Sequence, residues 1–380
     1  MRSAALFRRG TNAVVEPWVA RCARWCSSTL QPSLSDAAAD EMVAGILKKQ
    51  RRHIARAVTL AESTRPEHGA SLSLVLSKLR QHSATTTDEE SGAFAARQRR
   101  IAISGSPGAG KSCFIDALGH YLCDTLGLTV GVLAVDPSST VSGGSILGDK
   151  TRMERLGHHD KAFVRPSPSR GHLGGVTARC WETLEIFEAA DFDVTLIETV
   201  GVGQSETEAA HLSDLFVLLV PPASGDELQG VKKGIVEMAD AVIVTKRDGP
   251  RVDLADATRG HYKRAVMLTS RIAPPPPRPE GLESELPSAA DCMRELEALE
   301  RRKPVIAVSS ETGYHIPEAW AAIDDRWKQH AGTGKLQARR RHQRLEHFNA
   351  YLAHELVARA QQRLRSWSAD GVGGAADGTP

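Results

Sequence analysis

The sequence has few of the features that mark secreted, membrane-spanning or nucleic-acid-binding proteins. Its 380 residues include six cysteines, none in a C-x-x-C pair, and such scattered cysteines in a long chain indicate a reducing compartment. No apolar run approaches the roughly 18 residues that a membrane-spanning helix needs. The net charge of +2 is too small to create a general attraction for nucleic acid or a membrane surface. We therefore expect a globular protein with neither of these as a partner.

The first thirty residues differ from the rest in composition. They contain five arginines and one acid, Glu16, before Ser27, Ser28 and Thr29. An Arg-rich, acid-poor, Ser-containing start is typical of a mitochondrial transit peptide. The alternative is a basic tail of a cytosolic protein. We expect residues 1–30 to be a transit peptide and the protein to reside in the mitochondrial matrix.

The apolar pattern then predicts helical segments on either side of a central region. Residues 31–98 repeat apolar residues at intervals of three and four, which predicts an N-terminal helical extension interrupted around Pro66 and Gly69. Residues 331–367 have the pattern of a long amphipathic helix, which either serves as a dimerisation arm or packs on its own core. The apolar face of that helix comprises Leu345, Phe348, Leu352, Leu356 and Val357. The Gly-rich residues 368–380 are expected to be disordered.

Residues 99–330 alternate short apolar runs with longer helical patterns. The runs are IAIS, VGVLAVD, AFVRP, VTLIET, LFVLLV, AVIVTK and PVIAVSS. Runs of this length suit buried parallel strands. The alternation predicts an α/β fold with a doubly wound, mostly parallel sheet that helices cover on both faces. Ligands of such sheets bind at the carboxyl ends of the strands.

A phosphate-binding loop lies between the first predicted strand and the helix that follows. Gly105 is followed by four residues and then by Gly110, Lys111 and Ser112, which matches the pattern G-x-x-x-x-G-K-S. Glycines let the backbone amides turn toward phosphate oxygens, and the lysine places a positive charge at the β- and γ-phosphates. The predicted nucleotide-binding residues here are Gly105, Ser106, Pro107, Gly108, Ala109, Gly110, Lys111, Ser112 and Cys113.

The run VIVTKRD predicts that the nucleotide is GTP. Asp248 can accept hydrogen bonds from the N1–H and the 2-amino group of guanine, whereas adenine has no 2-amino group and an acceptor at N1. Lys246 can cover the base with its apolar stem. Thr245 replaces the usual Asn of the motif, which is a departure from the pattern. A second contact with the base is expected from Ser309, Ser310 and Glu311 in AVSSETG.

Carboxylates at predicted strand ends are candidates for holding Mg²⁺. Asp136 ends one strand and Glu198 ends another, and Ser112 of the phosphate loop is a third oxygen ligand. Asp149 is a further candidate that no strand anchors. The sequence therefore predicts an Mg²⁺ site beside the phosphate loop.

The residues that promote hydrolysis are less clear from the pattern. Many small GTPases place a glutamine directly after D-x-x-G, but here Val202 follows Gly201 and Gln204 comes two residues later. We therefore expect slow intrinsic hydrolysis that depends on a partner or a rearrangement. A Gly-rich segment ending in Lys232 and Lys233 is a candidate switch, although a solvated loop would also explain its charges. The candidate catalytic residues are Lys111, Glu198, Gln204, Lys232 and Lys233.

Four longer stretches carry a resemblance to a known family. AVDPSSTVSGGSILGDKTRM, VRPSPSRGHLGG, IETVGVGQSE and SGDELQGVKKGI resemble the G-protein chaperones of methylmalonyl-CoA mutase, the methylmalonic aciduria type A family of SIMIBI-class P-loop GTPases. The resemblance extends from about Leu34 to Trp367.

The resemblance implies an Mg²⁺-dependent GTPase that binds methylmalonyl-CoA mutase. Such a chaperone gates the loading of adenosylcobalamin from an adenosyltransferase and protects or reactivates the mutase. The resemblance also implies a C-terminal dimerisation arm, a switch segment matching Gly225 to Lys233, and metal and switch acids matching Asp136, Asp149 and Glu198.

Three other functions remain open at this point. A nickel-inserting GTPase should show a Cys/His cluster, but His158, His159 and His172 have no clear ligand spacing. A GTP-sensing scaffold that does not hydrolyse GTP is consistent with Val202. A P-loop kinase should prefer ATP, whereas the base motif indicates guanine.

Overall fold

The computed structural model describes residues 32–63, 65–85, 98–137, 153–169, 175–199, 209–223, 233–269 and 303–370. These fall into two compact units. The helical unit lies within Met1–Gln98 and Glu182–Phe192, and the sheet unit lies within Arg99–Trp181 and Asp193–Pro380.

The helices and strands of the described residues have the following bounds. The helices are α1 Asp36–Leu47, α2 Arg51–Glu62, α3 Pro66–Thr85, α4 Lys111–Asp124, α5 Glu154–Gly157, α6 Gly175–Ala189, α7 Lys233–Met238, α8 Val252–Thr269, α9 Ile316–Gly332 and α10 Lys335–Asp370, with a 3₁₀ turn at Gly249–Arg251. The strands are β1 Arg99–Gly105, β2 Val130–Pro137, β3 Ala162–Ser169, β4 Val194–Glu198, β5 Leu215–Val220, β6 Ala241–Val244 and β7 Val305–Ala307. None of these helices combines the length and apolarity that crossing a bilayer requires.

The helical unit confirms the predicted helical pattern but corrects where it is interrupted. The apolar residues Met42, Ile46, Ile54 and Val58 are all buried, as their spacing predicts. The predicted interruption is confirmed between Glu62, where α2 ends, and Pro66, where α3 begins, but it does not extend to Gly69, which lies inside α3. Proline is tolerated at a first helical position because the N–H it lacks would have no partner within the helix.

The sheet unit contains a parallel sheet of seven described strands in the order β3-β2-β4-β1-β5-β6-β7. All seven predicted runs form strands, and every described pair is parallel, which confirms the predicted fold class. In β4, β5 and β6 every residue is buried, which explains their unbroken apolar sequences. The phosphate loop follows β1, whose neighbours are β4 and β5. Their carboxyl ends therefore surround that loop.

The strand β3 is longer than its sequence indicates. The apolar run ends at Pro166 and turn-forming residues follow, yet the strand continues through Pro168 to Ser169. Proline has no amide hydrogen and cannot donate to a ladder, so within sheets it is confined to edge strands, strand starts and bulges. It is tolerated here because β3 is an edge strand of the sheet and pairs only with β2 among the described strands.

The helix α10 is held to the sheet unit by polar contacts in its first part. Arg340 Nε and Nη2 donate to the two carboxylate oxygens of Asp214 at 2.7 and 2.6 Å, and Gln343 Nε2 donates to the Ser213 carbonyl at 2.8 Å. Asp214 is fully buried directly before β5. Burial alone would raise the pKa of Asp214, but the hydrogen bonds from Arg340 and the charges of Arg100 and Arg340 hold that pKa below its usual value.

Much of the predicted apolar face of α10 is not used to cover this core. Leu345, Leu356 and Val357 are 50, 67 and 56% exposed. At least half of the surface of each of these three side chains is therefore exposed in the described chain.

Candidate nucleotide site

The loop between β1 and α4 has a backbone that requires glycine at two positions. A Cβ added at Gly105 would lie 2.2 Å from the carbonyl oxygen of Leu219 on β5. Gly110 has a φ of 86° and is the N-cap of α4, a left-handed conformation that glycine adopts without a steric penalty. The loop is therefore shaped by the close packing of β1 on β5 and by the sharp turn into the helix.

Lys111 lies over this loop. Its Nζ donates to the carbonyl oxygens of Gly105 at 2.9 Å and Ser106 at 3.3 Å, and the residue is buried. The first α-helical hydrogen bond of α4 runs from the Phe114 amide to the Gly110 carbonyl. The amides of Lys111, Ser112 and Cys113 precede that bond, at the positive end of the helix dipole where phosphate binds.

The other predicted residues of this loop differ in exposure. Ser106, Pro107, Gly108 and Cys113 are exposed, whereas Ala109 is buried. The loop therefore presents accessible backbone on one side and packs through Ala109 on the other.

The predicted metal ligands Ser112 and Glu198 are brought together. Ser112 Oγ donates to Glu198 Oε1 at 2.7 Å, and both residues are buried. Ser112 lies in the first turn of α4 and Glu198 ends β4, so residues 86 positions apart meet at one edge of the sheet. A hydroxyl and a carboxylate are hard oxygen donors, which is the chemistry that Mg²⁺ prefers.

The remaining metal and catalytic candidates are described in part or not at all. Asp136 lies in β2, two residues after Ala134, which pairs with Glu198. Its side chain is outside the described part of the structure, as is that of Lys233, the first residue of α7. The three candidates Asp149, Gln204 and Lys232 lie outside the described residues.

The two predicted base-reading segments meet through their side chains. Ser309 Oγ donates to Asp248 Oδ2 at 2.9 Å, and Arg251 donates to the other carboxylate oxygen. Ser309 is buried, whereas Ser310 is half-buried and Glu311 is exposed. Asp248 follows β6 and Ser309 follows β7, so the chain places the base reader at adjacent strand ends.

Lys246 of the base motif lies close to the phosphate loop. It has a φ of 55°, which is unusual for a residue with a side chain. A Cβ built at Gly110 would lie 3.9 Å from Lys246 Cε. The apolar stem of Lys246 therefore runs beside the loop that precedes α4.

Thr245 has a role that sequence reasoning missed. Its hydroxyl lies 2.6 Å from the Ala109 carbonyl and 3.3 Å from the Val220 carbonyl, and the residue is 1% exposed. Thr245, at the position where the motif usually has Asn, therefore joins the base motif to the phosphate loop through its hydrogen bond to Ala109. The sequence identified only the departure from the motif, because the partner Ala109 is 136 residues away.

Sequence reasoning also missed the contacts that Thr199 makes beside the phosphate loop. Its amide donates to the Ile103 carbonyl at 3.1 Å and its hydroxyl donates to Ser104 Oγ at 3.0 Å. These contacts hold the residue after Glu198 against β1. The only sequence signal was its position directly after a strand.

A family comparison decides which kind of P-loop protein this is. Residues 54–365, well over half of the chain, match the family model described as methylmalonyl Co-A mutase-associated GTPase MeaB. The chain belongs to the MeaB family. Its phosphate loop and its T-K-x-D motif both lie within the matched residues.

Relatives and a solved structure agree with this assignment. A probable GTPase of Mycobacterium tuberculosis is 42% identical over 83% of this chain and 82% of its own length. The mitochondrial methylmalonic aciduria type A homolog of Mus musculus is 38% identical over 82% of this chain and 71% of its own. The crystal structure of a LAO/AO transport system kinase is 29% identical, covers 85% of this chain and 86% of its own, and superposes with a TM-score of 0.62. The protein is therefore a P-loop GTPase of the MeaB family that uses a guanine nucleotide.

Proposed function

We propose that this MeaB-family GTPase is an Mg²⁺-dependent chaperone of methylmalonyl-CoA mutase. It binds the mutase, gates the loading of adenosylcobalamin, and protects or reactivates the mutase. The observation that supports the nucleotide chemistry is the hydrogen bond from Thr245 to Ala109, which links a guanine motif to a phosphate loop. The family match supports the choice of partner.

The proposed roles at the phosphate follow from the donors of the loop. Lys111 exchanges its bonds with the loop carbonyls for contacts with the β- and γ-phosphates, since an ammonium gains more from a phosphate than from a neutral carbonyl. The amides of Gly108, Gly110 and the first turn of α4 bind phosphate oxygens. Nucleotide binding thus uses the glycines, the lysine and the start of α4 together.

We propose that Ser112 and Glu198 hold Mg²⁺, joined by Asp136 or Asp149. The ion would supply neutralisation of phosphate charge. Glu198 also orients the Ser112 hydroxyl through their 2.7 Å hydrogen bond.

Glu198→Gln keeps a hydrogen-bond acceptor but loses the charge. It should raise the Mg²⁺ concentration needed for half-maximal turnover while leaving Mg²⁺-free GDP affinity near wild type. An unchanged Mg²⁺ dependence in a magnesium titration would remove Glu198 from this role.

We propose that Asp248 selects guanine, aided by Ser309, Ser310 and Glu311. An adenine base offers Asp248 neither an N1–H nor a 2-amino donor, so the carboxylate exchanges water for a base that cannot bond it, which costs about 1–3 kcal/mol or more. This is why adenine nucleotides should bind poorly. Gln204, Lys232 and Lys233 are the proposed residues that orient water or respond to the γ-phosphate, and their contribution should require the mutase.

The proposed partners extend beyond the nucleotide. The exposed apolar side chains of α10, Leu345, Leu356 and Val357, suit a homodimer interface. The Arg-rich residues 1–30 support import into the mitochondrial matrix. A cobalamin adenosyltransferase would supply the cofactor whose transfer this GTPase gates.

The complex with the mutase can be tested directly. Purified protein and methylmalonyl-CoA mutase are run together in sedimentation-velocity experiments with GDP, with a non-hydrolysable GTP analogue, or with neither. We expect co-sedimentation whose strength depends on the nucleotide. Lys111→Ala serves as a control that should reduce the difference between nucleotide states. Absence of a complex in every state would contradict the proposed chaperone function.

A further inference from the structure

Arg247, the variable residue of the T-K-x-D motif, contacts three separate parts of the sheet unit. Its amide donates to the Val308 carbonyl at 2.9 Å. Its guanidinium forms a forked pair with Asp256 on α8, with Nε to Oδ1 at 3.0 Å and Nη2 to Oδ2 at 2.8 Å. The same guanidinium lies 4.3 Å from the ring centroid of Tyr314. We call Arg247, Asp256 and Tyr314 the base-loop brace.

The base-loop brace contacts the loop after β7, which supports the guanine reader Asp248. Tyr314 closes the loop after β7, because its carbonyl accepts a hydrogen bond from the Ser309 amide at 3.1 Å. Ser309 in turn donates from its hydroxyl to Asp248 at 2.9 Å. Arg247 therefore contacts one end of this loop, at Tyr314, while Ser309 near the other end donates to Asp248.

The geometry suits a fixed brace better than a solvated ion pair. A forked Arg–carboxylate pair restrains both partners, and stacking on an aromatic ring orients the plane of the guanidinium. The side chains of Arg247 and Asp256 are 20 and 33% exposed, so the pair is only partly screened by solvent. Hydrogen bonding to Arg247 holds the pKa of Asp256 below its usual value, as expected for a carboxylate that accepts both bonds of the fork.

We propose that Arg247 is a positioning residue for guanine recognition, acting through Tyr314 and Ser309 on the carboxylate of Asp248. The inference rests on the proposed function of Asp248 as the guanine reader. Arg247 sets the distance between the segment after β6 and the loop after β7, and thereby the angle at which Asp248 meets the base. The alternative is that the pair with Asp256 stabilises α8 alone and leaves base recognition unaffected.

The proposal is tested by the affinities of GDP and IDP for the full-length protein. Inosine lacks the 2-amino group of guanine, so the ratio of the two dissociation constants reports how well Asp248 is placed. For Arg247→Ala we expect GDP affinity to fall about tenfold and the preference for GDP over IDP to shrink toward one. Arg247→Lys loses the fork and the planar stack but keeps the charge. Its GDP affinity and its preference for GDP over IDP should lie between those of wild type and Arg247→Ala.

A matched control is available on the same carboxylate. Arg259 Nη2 lies 3.7 Å from Asp256 Oδ1 and is 40% exposed, but no contact joins it to Tyr314 among the described residues. Arg259→Ala should leave both affinities within twofold of wild type. Tyr314→Leu, at a 38% exposed position, tests the stack with little risk to folding and should reduce the GDP preference in the same direction as Arg247→Ala.

The outcomes separate the inference from its premise. A wild-type protein that binds ADP as well as GDP would refute the guanine site itself. A guanine-selective wild type whose GDP-to-IDP preference survives Arg247→Ala and Tyr314→Leu would refute the brace alone. Equal losses for GDP and IDP would likewise assign Arg247 to stability and not to base recognition.

Discussion

Removing the Thr245 hydroxyl is the perturbation that separates the architecture of the site from base reading. Thr245→Val preserves the shape of the side chain and deletes the hydrogen bond to Ala109, which is 2.6 Å long. The Val220 carbonyl keeps the Thr245 amide as a donor at 2.9 Å, so the Ala109 carbonyl is the acceptor most affected. Loss of a donor to one buried carbonyl costs about 1–3 kcal/mol.

That free energy should be divided between folding and nucleotide binding. Urea unfolding of nucleotide-free protein should show the free energy of unfolding lowered by up to about 3 kcal/mol with an unchanged m-value. Any part of this free energy that does not appear in unfolding should appear as weaker GDP binding. If all of it did, GDP affinity would fall by up to roughly 150-fold. The preference for GDP over IDP should not change, because the Thr245 hydroxyl contacts backbone carbonyls.

Thr245→Ser is the matched control, since it retains the hydroxyl and loses one methyl group. It should keep most of the GDP affinity. If Thr245→Val matched wild type in both urea stability and GDP affinity, the hydrogen bond to Ala109 would have no measurable function and the reasoning would fail.

Two further predictions concern packing and the buried ion pair. Gly105→Ala should lower the free energy of unfolding in urea by more than about 1–3 kcal/mol, because the added Cβ would lie 2.2 Å from the backbone oxygen of Leu219. Wild-type stability of this variant would contradict the close approach of β1 and β5. Arg340→Met should cost about 3–5 kcal/mol by leaving Asp214 buried with fewer partners. Because the folded pKa of Asp214 is depressed, its contribution is present above its unfolded pKa of roughly 4 and is lost as the pH falls through the folded value. A stability–pH profile of Arg340→Met that kept the wild-type acid slope would contradict this assignment.

The strands were predictable because burial on both faces of a parallel sheet leaves unbroken apolar runs. LFVLLV could be interpreted directly, and β5 consists of those six residues. The end of β3 was not predictable, because tolerance of Pro168 depends on the strand lying at the sheet edge, which is a property of the assembled sheet. The break before α3 was predictable from Pro66, but its extent was not, because proline is accommodated at a helix start and α3 therefore begins at Pro66 and includes Gly69.

The pieces of the site were predictable, but the contacts that join them were not. G-x-x-x-x-G-K-S and T-K-x-D each have a local chemical reason that is visible in sequence. The hydrogen bond from Thr245 to Ala109 and the stack of Arg247 on Tyr314 link distant positions with no shared local pattern. Such contacts depend on strand order, and the order that brings β1, β5, β6 and β7 side by side is not written in any one motif.

Hydrolysis with and without the mutase tests the central proposal most directly. Phosphate release by the full-length protein is measured with GTP and with ATP, in the presence and absence of methylmalonyl-CoA mutase, alongside Lys111→Ala. We predict slow GTP turnover that the mutase accelerates, little turnover of ATP, and loss of both the basal and the stimulated rate in the Lys111 variant. Turnover of ATP that equals that of GTP, or GTP turnover that the mutase leaves unchanged, would contradict a guanine-selective chaperone of this partner.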